Sequence, residues 1–238
     1  MILAMAMSRG SSDERTEGPG RPGGSRTARP APGVRRGLRA RLFAWSLSRN
    51  DGAQRRLYGD RKARLFQGLG GTVVEIGAGS GLNAAHLPAG TRWVAVEPNV
   101  HFHPHIRRAA ARHGLEAEVV AGTAEALPLA DGTADAVVST LVLCSVARPA
   151  AALAEARRVL RPGGRLVVIE HVAAPEGTVL RRLQRALRRP WGWVADGCRP
   201  DRDTATALRA AGFASVELET FRAPLGLASP HIMGVAVR

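Results

Sequence analysis

The chain has few of the features that mark secreted or membrane-spanning proteins. Its two cysteines, Cys144 and Cys198, cannot build a disulfide framework in 238 residues, which favours a reducing compartment. No apolar run approaches the ~20 residues that a bilayer-spanning helix needs. The short apolar start has no basic residue before it, which makes it a poor secretion signal. The sequence therefore predicts a cytoplasmic protein.

Aromatic residues and lysine are also scarce. Aromatics make up 4% of the chain, Tyr58 is its single tyrosine and Lys62 its single lysine, so arginine carries the net charge of +14. Such a charge suggests nucleic acid, but the chain has few rings for base stacking and no recognisable DNA- or RNA-binding module. We therefore expect an arginine-rich solvated surface and no nucleic-acid partner.

The composition changes twice along the chain. Residues 8–37 are rich in Gly, Pro, Ser and Arg with almost no large apolar side chain, and with the short apolar start we expect a disordered tail over residues 1–37. Residues 38–71 have the pattern of two helices. Strands and helices then alternate over residues 72–238. Strands are predicted at 72–76, 92–97, 117–121, 135–140, 165–170, 214–220 and 231–237, and helices at 80–87, 104–113, 149–160, 178–189 and 203–211, with a loop at 190–200. Near-continuous apolar strands predict an α/β fold with a parallel sheet buried on both faces.

The most informative motif is a glycine loop that follows the first strand. Gly77, Gly79 and Gly81 alternate with other residues, and the next strand ends in Glu97. Glycine lets a backbone turn sharply and approach a ligand closely. An acid at the tip of the neighbouring strand can accept both ribose hydroxyl protons. The pair predicts a site for a nucleoside-bearing cofactor.

The glycine spacing separates two cofactor classes. Dinucleotide enzymes usually carry Gly-x-Gly-x-x-Gly, whereas Gly81 comes one position early here. Tyr58 and Lys62 have the spacing of a short-chain dehydrogenase's catalytic pair, but they precede the loop instead of lying far downstream. We interpret that spacing as coincidence, and a nicotinamide dehydrogenase stays a weaker alternative.

Five motifs in order resemble the class I S-adenosylmethionine-dependent methyltransferases. They are Glu75–Gly81, Val96–Asn99, Gly122–Pro128, Ala134–Ser139 and Leu160–Val167. Further segments resemble the methyltransferase-like thiol S-methyltransferases of animals and their bacterial relatives. These are Thr140–Val146, Glu170–Ala174, Pro190–Trp191, Asp196–Cys198 and Pro230–Val237. The resemblance implies a Rossmann-like sheet of seven strands, mostly parallel with an antiparallel last strand and helices on both faces. It also implies S-adenosyl-L-methionine as cofactor and a small-molecule methyl acceptor, with a thiol as one candidate.

The same resemblance assigns site residues. The residues expected to bind the cofactor are Glu75, Gly77, Ala78, Gly79, Gly81, Glu97, Pro98, Thr123, Ala124 and Leu141. From their positions beyond the strands, His171 or Asp196 is expected to assist deprotonation of the acceptor or to orient it. Trp191 and Trp193 either cover the acceptor pocket or pack in the core.

Two alternatives to thiol methylation stay open. The enzyme could methylate oxygen, nitrogen or carbon of a lipid, quinone or small metabolite, or the chain could bind the cofactor without catalysis. Nucleic-acid bases are disfavoured because Thr140–Cys144 lacks the Asn/Asp-Pro-Pro-aromatic motif. The five arginines of the 178–189 helix fit an exposed helix over the site or contact with a membrane surface.

No metal is predicted. His101, His103 and His105 alternate beside the cofactor loop, but Pro104 interrupts them at the expected helix start. No nearby cysteine or carboxylate pattern completes a set of ligands.

Overall fold

A single mixed sheet organises the part of the chain that the computed structural model describes, residues 33–238. Most of the predicted tail lies outside these residues. The strands are β1 (Thr72–Ile76), β2 (Arg92–Val96), β3 (Glu116–Val120), β4 (Ala134–Thr140), β5 (Leu160–His171), β6 (Ser215–Arg222) and β7 (Pro230–Val237). Seven strands of the described part lie in the order β3-β2-β1-β4-β5-β7-β6. β1 to β5 are parallel, and β7 runs antiparallel to both β5 and β6. The predicted fold class is confirmed.

Helices precede and cover this sheet. They are α1 (Leu38–Arg49), α2 (Asp51–Leu65), α3 (His103–His113), α4 (Pro149–Val159), α5 (Val179–Ala186), α6 (Arg188–Val194) and α7 (Thr204–Arg209). Short 3-10 segments occupy Leu82–His86, Val100–Phe102 and Gly226–Ala228. Within residues 33–238, no helix combines the length and the apolar character needed to cross a bilayer.

Two predicted helices differ from the structure. The helix expected at 80–87 is only the 3-10 segment Leu82–His86, because it begins after Gly81 and the residue before Pro88 avoids helical geometry. The helix expected at 178–189 is divided into α5 and α6, and α6 continues into the predicted loop. Pro190 explains the division, since it cannot donate a helical hydrogen bond to Ala186.

The side chains of β1 alternate between two apolar layers. Val74 and Ile76 pack in a cluster with Leu153 of α4 and Leu208 of α7. Val73 faces the other way, into a cluster that includes residues of α3. Burial on both faces explains why the strands carry near-continuous apolar runs.

The strand order also locates the site. From β1 the chain proceeds outward to β2 and β3, then returns to place β4 on the other side of β1. Where neighbouring parallel strands diverge in this way, a crevice opens beyond their carboxyl ends. The sequence motifs of the glycine loop, Glu97 and His171 all lie at this edge.

The last residues of the predicted tail belong to the fold. The backbone N–H of Arg35 donates to Pro98 O at 2.7 Å, and Val100 N donates to Arg35 O at 3.2 Å. This short backbone pairing places Arg35 beside the loop that follows β2.

Candidate active site

A cavity of about 630 Å³ lies at the carboxyl edge of the sheet. Its volume is within the ~300–1,000 Å³ typical of small-molecule sites. Gly77, Gly79 and Glu97 line one part, called here the glycine-loop end. Cys144, His171 and Cys198 line another, called here the sulfur end. The cavity can therefore hold two groups side by side.

At the glycine-loop end, one carboxylate joins two loops. Glu97 Oε2 accepts a hydrogen bond from Gly79 N at 2.8 Å, and Oε1 accepts from Asn99 N at 2.8 Å. Burial raises the pKa of Glu97, and both backbone N–H groups oppose that shift. Each oxygen keeps a lone pair that a ribose hydroxyl could use.

A second carboxylate lies deeper in the wall. Glu75 Oε1 accepts from Asn83 Nδ2 at 2.8 Å, and Oε2 accepts from Trp93 Nε1 at 2.9 Å. Burial raises the pKa of Glu75 to about 7, against the opposing charge of Lys62. Asn83 Oδ1 is buried without a partner among the described residues. A buried acceptor left unpaired is costly, so this oxygen points to a donor on a bound ligand.

Lys62 supplies the positive charge of this region. It is 4% exposed, it lines the cavity, and burial lowers its pKa to about 8 while Glu75 opposes the shift. Within residues 33–238 its ammonium makes no hydrogen bond. Lys62 beside Glu75 and Asn83 fits a zwitterionic amino-acid group such as the methionine part of S-adenosylmethionine. The sequence interpretation missed Lys62, although a single lysine in an arginine-rich chain was a signal.

Most of the residues expected to bind the cofactor line the cavity. They are Glu75, Gly77, Ala78, Gly79, Glu97, Pro98, Thr123, Ala124 and Leu141. Gly81 is not among the residues that line the cavity, and its binding to the cofactor stays a prediction. A Cβ on Gly81 would lie 2.9 Å from Ala109 Cβ and 3.2 Å from Ile106 Cα, so this glycine allows α3 to pack closely.

The loop after β4 is held by a buried acid that the sequence interpretation did not identify. Glu170 Oε1 accepts from Ser139 Oγ at 2.7 Å and from Val142 N and Leu143 N, both at 3.0 Å. Leu141 has a φ of 59°, which is uncommon for a residue with a side chain. Glu170 thus stabilises a sharp turn that brings Leu141 and Cys144 to the cavity.

Three polar side chains meet at the sulfur end. His171 Nε2 lies 2.9 Å from Cys198 Sγ, and Trp191 Nε1 donates to the same sulfur at 3.2 Å. The Cys144 thiol is the main cause that lowers the pKa of Cys198, with His171 contributing against burial. The contact with Cys198, followed by burial, raises the pKa of Cys144. Cys144 and Cys198 were not predicted as catalytic residues, and their meeting depends on the fold.

Asp196 lies in the cavity wall but already has a partner. Its carboxylate forms an ion pair with Arg35, whose side chain is 41% exposed against 20% for Asp196. The two tryptophans that were considered for the acceptor pocket have different surroundings. Trp191 lines the cavity, whereas Trp193 is 73% exposed and has Arg39 over its ring.

The three alternating histidines do not converge. His101 Nε2 lies 3.1 Å from Arg36 O, and His103 Nε2 lies 2.9 Å from Glu97 O. His105 packs edge-on against Phe102. Their rings support the loop after β2 individually.

The strand order and the glycine loop are those of a class I S-adenosylmethionine-dependent methyltransferase. A family model described as a methyltransferase domain matches residues 74–168. Thiol S-methyltransferase TMT1B of Homo sapiens is 40% identical over 191 residues, covering 75% of this chain and 78% of the human protein. The chain belongs to the family of these thiol S-methyltransferases.

A further relative and a solved structure are also similar to this chain. Thiol S-methyltransferase TMT1B of Rattus norvegicus is 37% identical over 206 residues, which cover 84% of each chain. A crystal structure of a methyltransferase from Thermotoga maritima, described as a possible histamine N-methyltransferase, has a TM-score of 0.61 at 22% identity. It covers 83% of this chain and 97% of its own and supports the fold alone. The expected enzyme class and cofactor are confirmed.

Proposed function

We propose that this methyltransferase transfers the methyl group to the sulfur of a small thiol. The observation that carries the proposal is the 40% identity to a thiol S-methyltransferase over most of both chains. The buried sulfur end, formed by Cys144, His171 and Cys198, agrees with it. A small-molecule acceptor also fits the cavity volume of about 630 Å³, which two groups must share.

The proposed cofactor contacts divide along the cavity. Glu97 takes the ribose hydroxyls, and Thr123 and Ala124 flank the adenine. Lys62 pairs with the carboxylate of the methionine part, and Glu75 with Asn83 receives its ammonium. When bound, S-adenosylmethionine supplies an electrophilic methyl group on a sulfonium centre. These residues hold it in one orientation, and such positioning can contribute about 7–11 kcal/mol.

The apolar character of the acceptor side favours the methyl-transfer step, in which a thiolate loses its charge. A thiol has a pKa of ~8.5 and reacts as its anion. Transfer of a methyl cation to that anion removes its charge, so a wall that solvates the anion poorly favours the product. Leu141 and Trp191 form part of such a wall.

His171 and Asp196 remain the proposed polar groups of the acceptor side, with different roles. His171 is 5% exposed and lines the sulfur end, where it can contact the acceptor. Asp196 is paired with Arg35 and is proposed to close the wall and orient the acceptor through that pair. The distinction rests on the ion pair that engages Asp196 Oδ2, whereas His171 Nδ1 is buried without a partner among the described residues.

The test is methyl transfer from methyl-labelled S-adenosylmethionine to a matched panel. Each small alkyl thiol is paired with the alcohol and the amine of the same carbon skeleton, and phenols are added. The proposal expects label in the thiols and little in their partners. Transfer to phenols or amines without transfer to thiols would overturn the thiol assignment while the methyltransferase class remains.

Contact with a membrane surface and a cytoplasmic location stay predictions. Leu183 and Leu187 are 46% and 41% exposed beside the arginines of α5 and α6. A basic amphipathic surface of this kind can bind anionic lipid. Sedimentation with vesicles of phosphatidylserine and phosphatidylcholine, compared with phosphatidylcholine alone, would test the contact. Binding to neither kind of vesicle, or equal binding to both, would contradict this contact.

A further inference from the structure

Three soft donor atoms from distant segments converge at the sulfur end. Cys144 follows β4, His171 ends β5, and Cys198 follows α6. One donor atom from each lies within 4.8 Å of the other two. Their exposed fractions are 2%, 5% and 8%, so the group is shielded from bulk water while it lines the cavity.

One ring nitrogen of His171 lies next to a cysteine sulfur. His171 Nε2 is 2.9 Å from Cys198 Sγ, so Nε2 is the atom that would ligate a metal beside the two cysteines, in place of the proton that it shares with this sulfur. His171 Nδ1, on the other side of the ring, is buried without a partner among the described residues.

The donor set selects a class of ligand. Two cysteines and one histidine are the ligands that catalytic zinc uses when it keeps a fourth position open. Tetrahedral zinc takes sulfur at ~2.3 Å and nitrogen at ~2.0 Å, which places its ligands about 3.5–4 Å apart. The 4.8 Å limit on the three atoms is compatible with that geometry after small side-chain rotations. Magnesium and calcium prefer oxygen ligands, whereas the donor atoms of these three residues are sulfur and nitrogen.

We propose that Cys144, His171 and Cys198 bind one zinc ion whose fourth position faces the cavity and takes the sulfur of the methyl acceptor. The second part rests on the proposed thiol methylation. Binding replaces the S–H bond of the acceptor with a zinc–sulfur bond, and the proton is released to water. No oxidation or reduction takes place. The zinc then holds the acceptor as a thiolate at neutral pH, which explains why the site shows no free carboxylate base near the sulfur end. This departs from the prediction of no metal, because the three donors are adjacent only in the fold.

Cobalt(II) provides a test that does not depend on activity. The full chain, reduced and stripped with a chelator, is titrated with Co²⁺ under anaerobic conditions. The proposal expects one cobalt per chain, a thiolate-to-cobalt absorption in the near ultraviolet and the intense visible bands of a tetrahedral site, all displaced by Zn²⁺. Absence of the thiolate band, or a disulfide between Cys144 and Cys198 as the stable state under reducing conditions, would overturn the proposal.

Variants locate the ligands. Cys144→Ser and Cys198→Ser should each weaken the thiolate band, because one of the two thiolates remains, and the double variant should abolish it. His171→Gln should shift the band and weaken Co²⁺ binding at least tenfold. His113→Gln, which removes an exposed imidazole outside the cavity, is the matched control and should change nothing. Circular dichroism and cofactor affinity check that each variant is folded. A band of full intensity in either single cysteine variant, or any thiolate band in the double variant, would overturn the assignment.

The acceptor part has its own readout. A small alkyl thiol added to the cobalt form without cofactor should shift the visible bands, and the alcohol of the same skeleton should not. If the thiol leaves the visible bands unchanged, the proposal that the fourth position of the metal takes the acceptor sulfur is overturned. If the metal-free enzyme methylates thiols at the full rate, the role of zinc is overturned while the proposed thiol methylation stands. If no thiol is methylated by either form, the proposed function fails while the cobalt spectrum still reports on the metal site.

Discussion

Glu97, at the end of β2, accepts a 2.8 Å hydrogen bond from the backbone N–H of Gly79 in the loop after β1. The acid proposed to hold the ribose therefore also fixes the glycine loop that passes beside the cofactor. Its other oxygen holds Asn99 N at 2.8 Å. A change at Glu97 should affect two contacts of the cofactor at once.

Replacement of Glu97 by glutamine should weaken cofactor binding strongly. The amide keeps one acceptor oxygen, so it cannot hold Gly79, Asn99 and the ribose as the carboxylate can. A hydrogen bond to a charged group contributes about 1.5–3 kcal/mol, which corresponds to about 10- to 150-fold in affinity. Isothermal titration calorimetry with S-adenosylmethionine measures the change directly.

Glu118→Gln is the matched control for this variant. Glu118 lies on the neighbouring strand β3, its side chain is 57% exposed, and it pairs only with Arg92. Its replacement should leave the affinity within about twofold, since exposed ion pairs contribute little. An affinity of Glu97→Gln equal to that of Glu118→Gln would contradict the proposed ribose contact.

Two glycines of one loop should respond differently to alanine. A Cβ on Gly77 would lie 2.6 Å from Val142 Cγ2, whereas a Cβ on Gly79 would meet no atom within 4 Å. Both have positive φ, 64° and 54°, which costs a residue with a side chain about 1–2 kcal/mol. Gly77→Ala should therefore lose about 1–3 kcal/mol more in free energy of unfolding than Gly79→Ala.

Gly79→Ala should instead lose cofactor affinity, because its new methyl group enters the cavity. Urea denaturation without cofactor gives the stability of the two variants, and calorimetry gives their affinities. Similar losses in free energy of unfolding for Gly77→Ala and Gly79→Ala would show that the Val142 side chain moves aside at little cost. An unchanged affinity for Gly79→Ala would show that the cofactor does not approach this part of the loop.

Local patterns were sufficient for the sheet and the glycine-loop end. Each parallel strand carries its own apolar run, and Gly77, Gly79 and Glu97 lie where a strand stops. Such signals depend only on residues that are neighbours in the sequence, so they can be recognised without the structure. For Gly81 the spacing alone cannot distinguish close approach to a ligand from the close approach to α3 that the structure shows.

The sulfur end could not be predicted in this way. Cys144 and Cys198 are each isolated in the sequence, and only the turn held by Glu170 and the end of α6 bring them to His171. Arg35 lies in a segment whose composition indicates disorder, yet its backbone pairs with the loop after β2. Lys62 became recognisable as a site residue only when α2 placed it beside Glu75.

Glu75 should make the stability of the cofactor-free enzyme depend on pH. Burial raises its pKa from 4.5 to about 7, so between these values the native protein holds a proton that the unfolded chain has released. The resulting stabilisation is complete at low pH and disappears as the pH rises through about 7. Glu75→Gln cannot ionise. The free energy of unfolding of the wild type should therefore fall relative to that of Glu75→Gln between about pH 5 and pH 7.5.

Urea denaturation at several pH values measures this difference. Glu116→Gln, at an exposed position at the start of β3, should show no such trend relative to the wild type. If the difference in free energy of unfolding between Glu75→Gln and the wild type is the same at every pH tested, the raised pKa of Glu75 is contradicted.

The ion pair of Arg35 and Asp196 allows a test between a structural and a proton-transferring role for the acid. A general base contributes about 10²- to 10⁴-fold to the rate, whereas a partly exposed ion pair is worth ~1 kcal/mol or less, about fivefold. If Asp196 acts through Arg35, then Asp196→Asn and Arg35→Gln should each lower kcat/KM for the acceptor by less than about tenfold, mainly through KM. The double variant should lose no more than the larger single loss, because both changes break the same contact. A loss above a hundredfold for Asp196→Asn alone, with the acidic limb of the pH–rate profile removed, would instead assign proton transfer to Asp196.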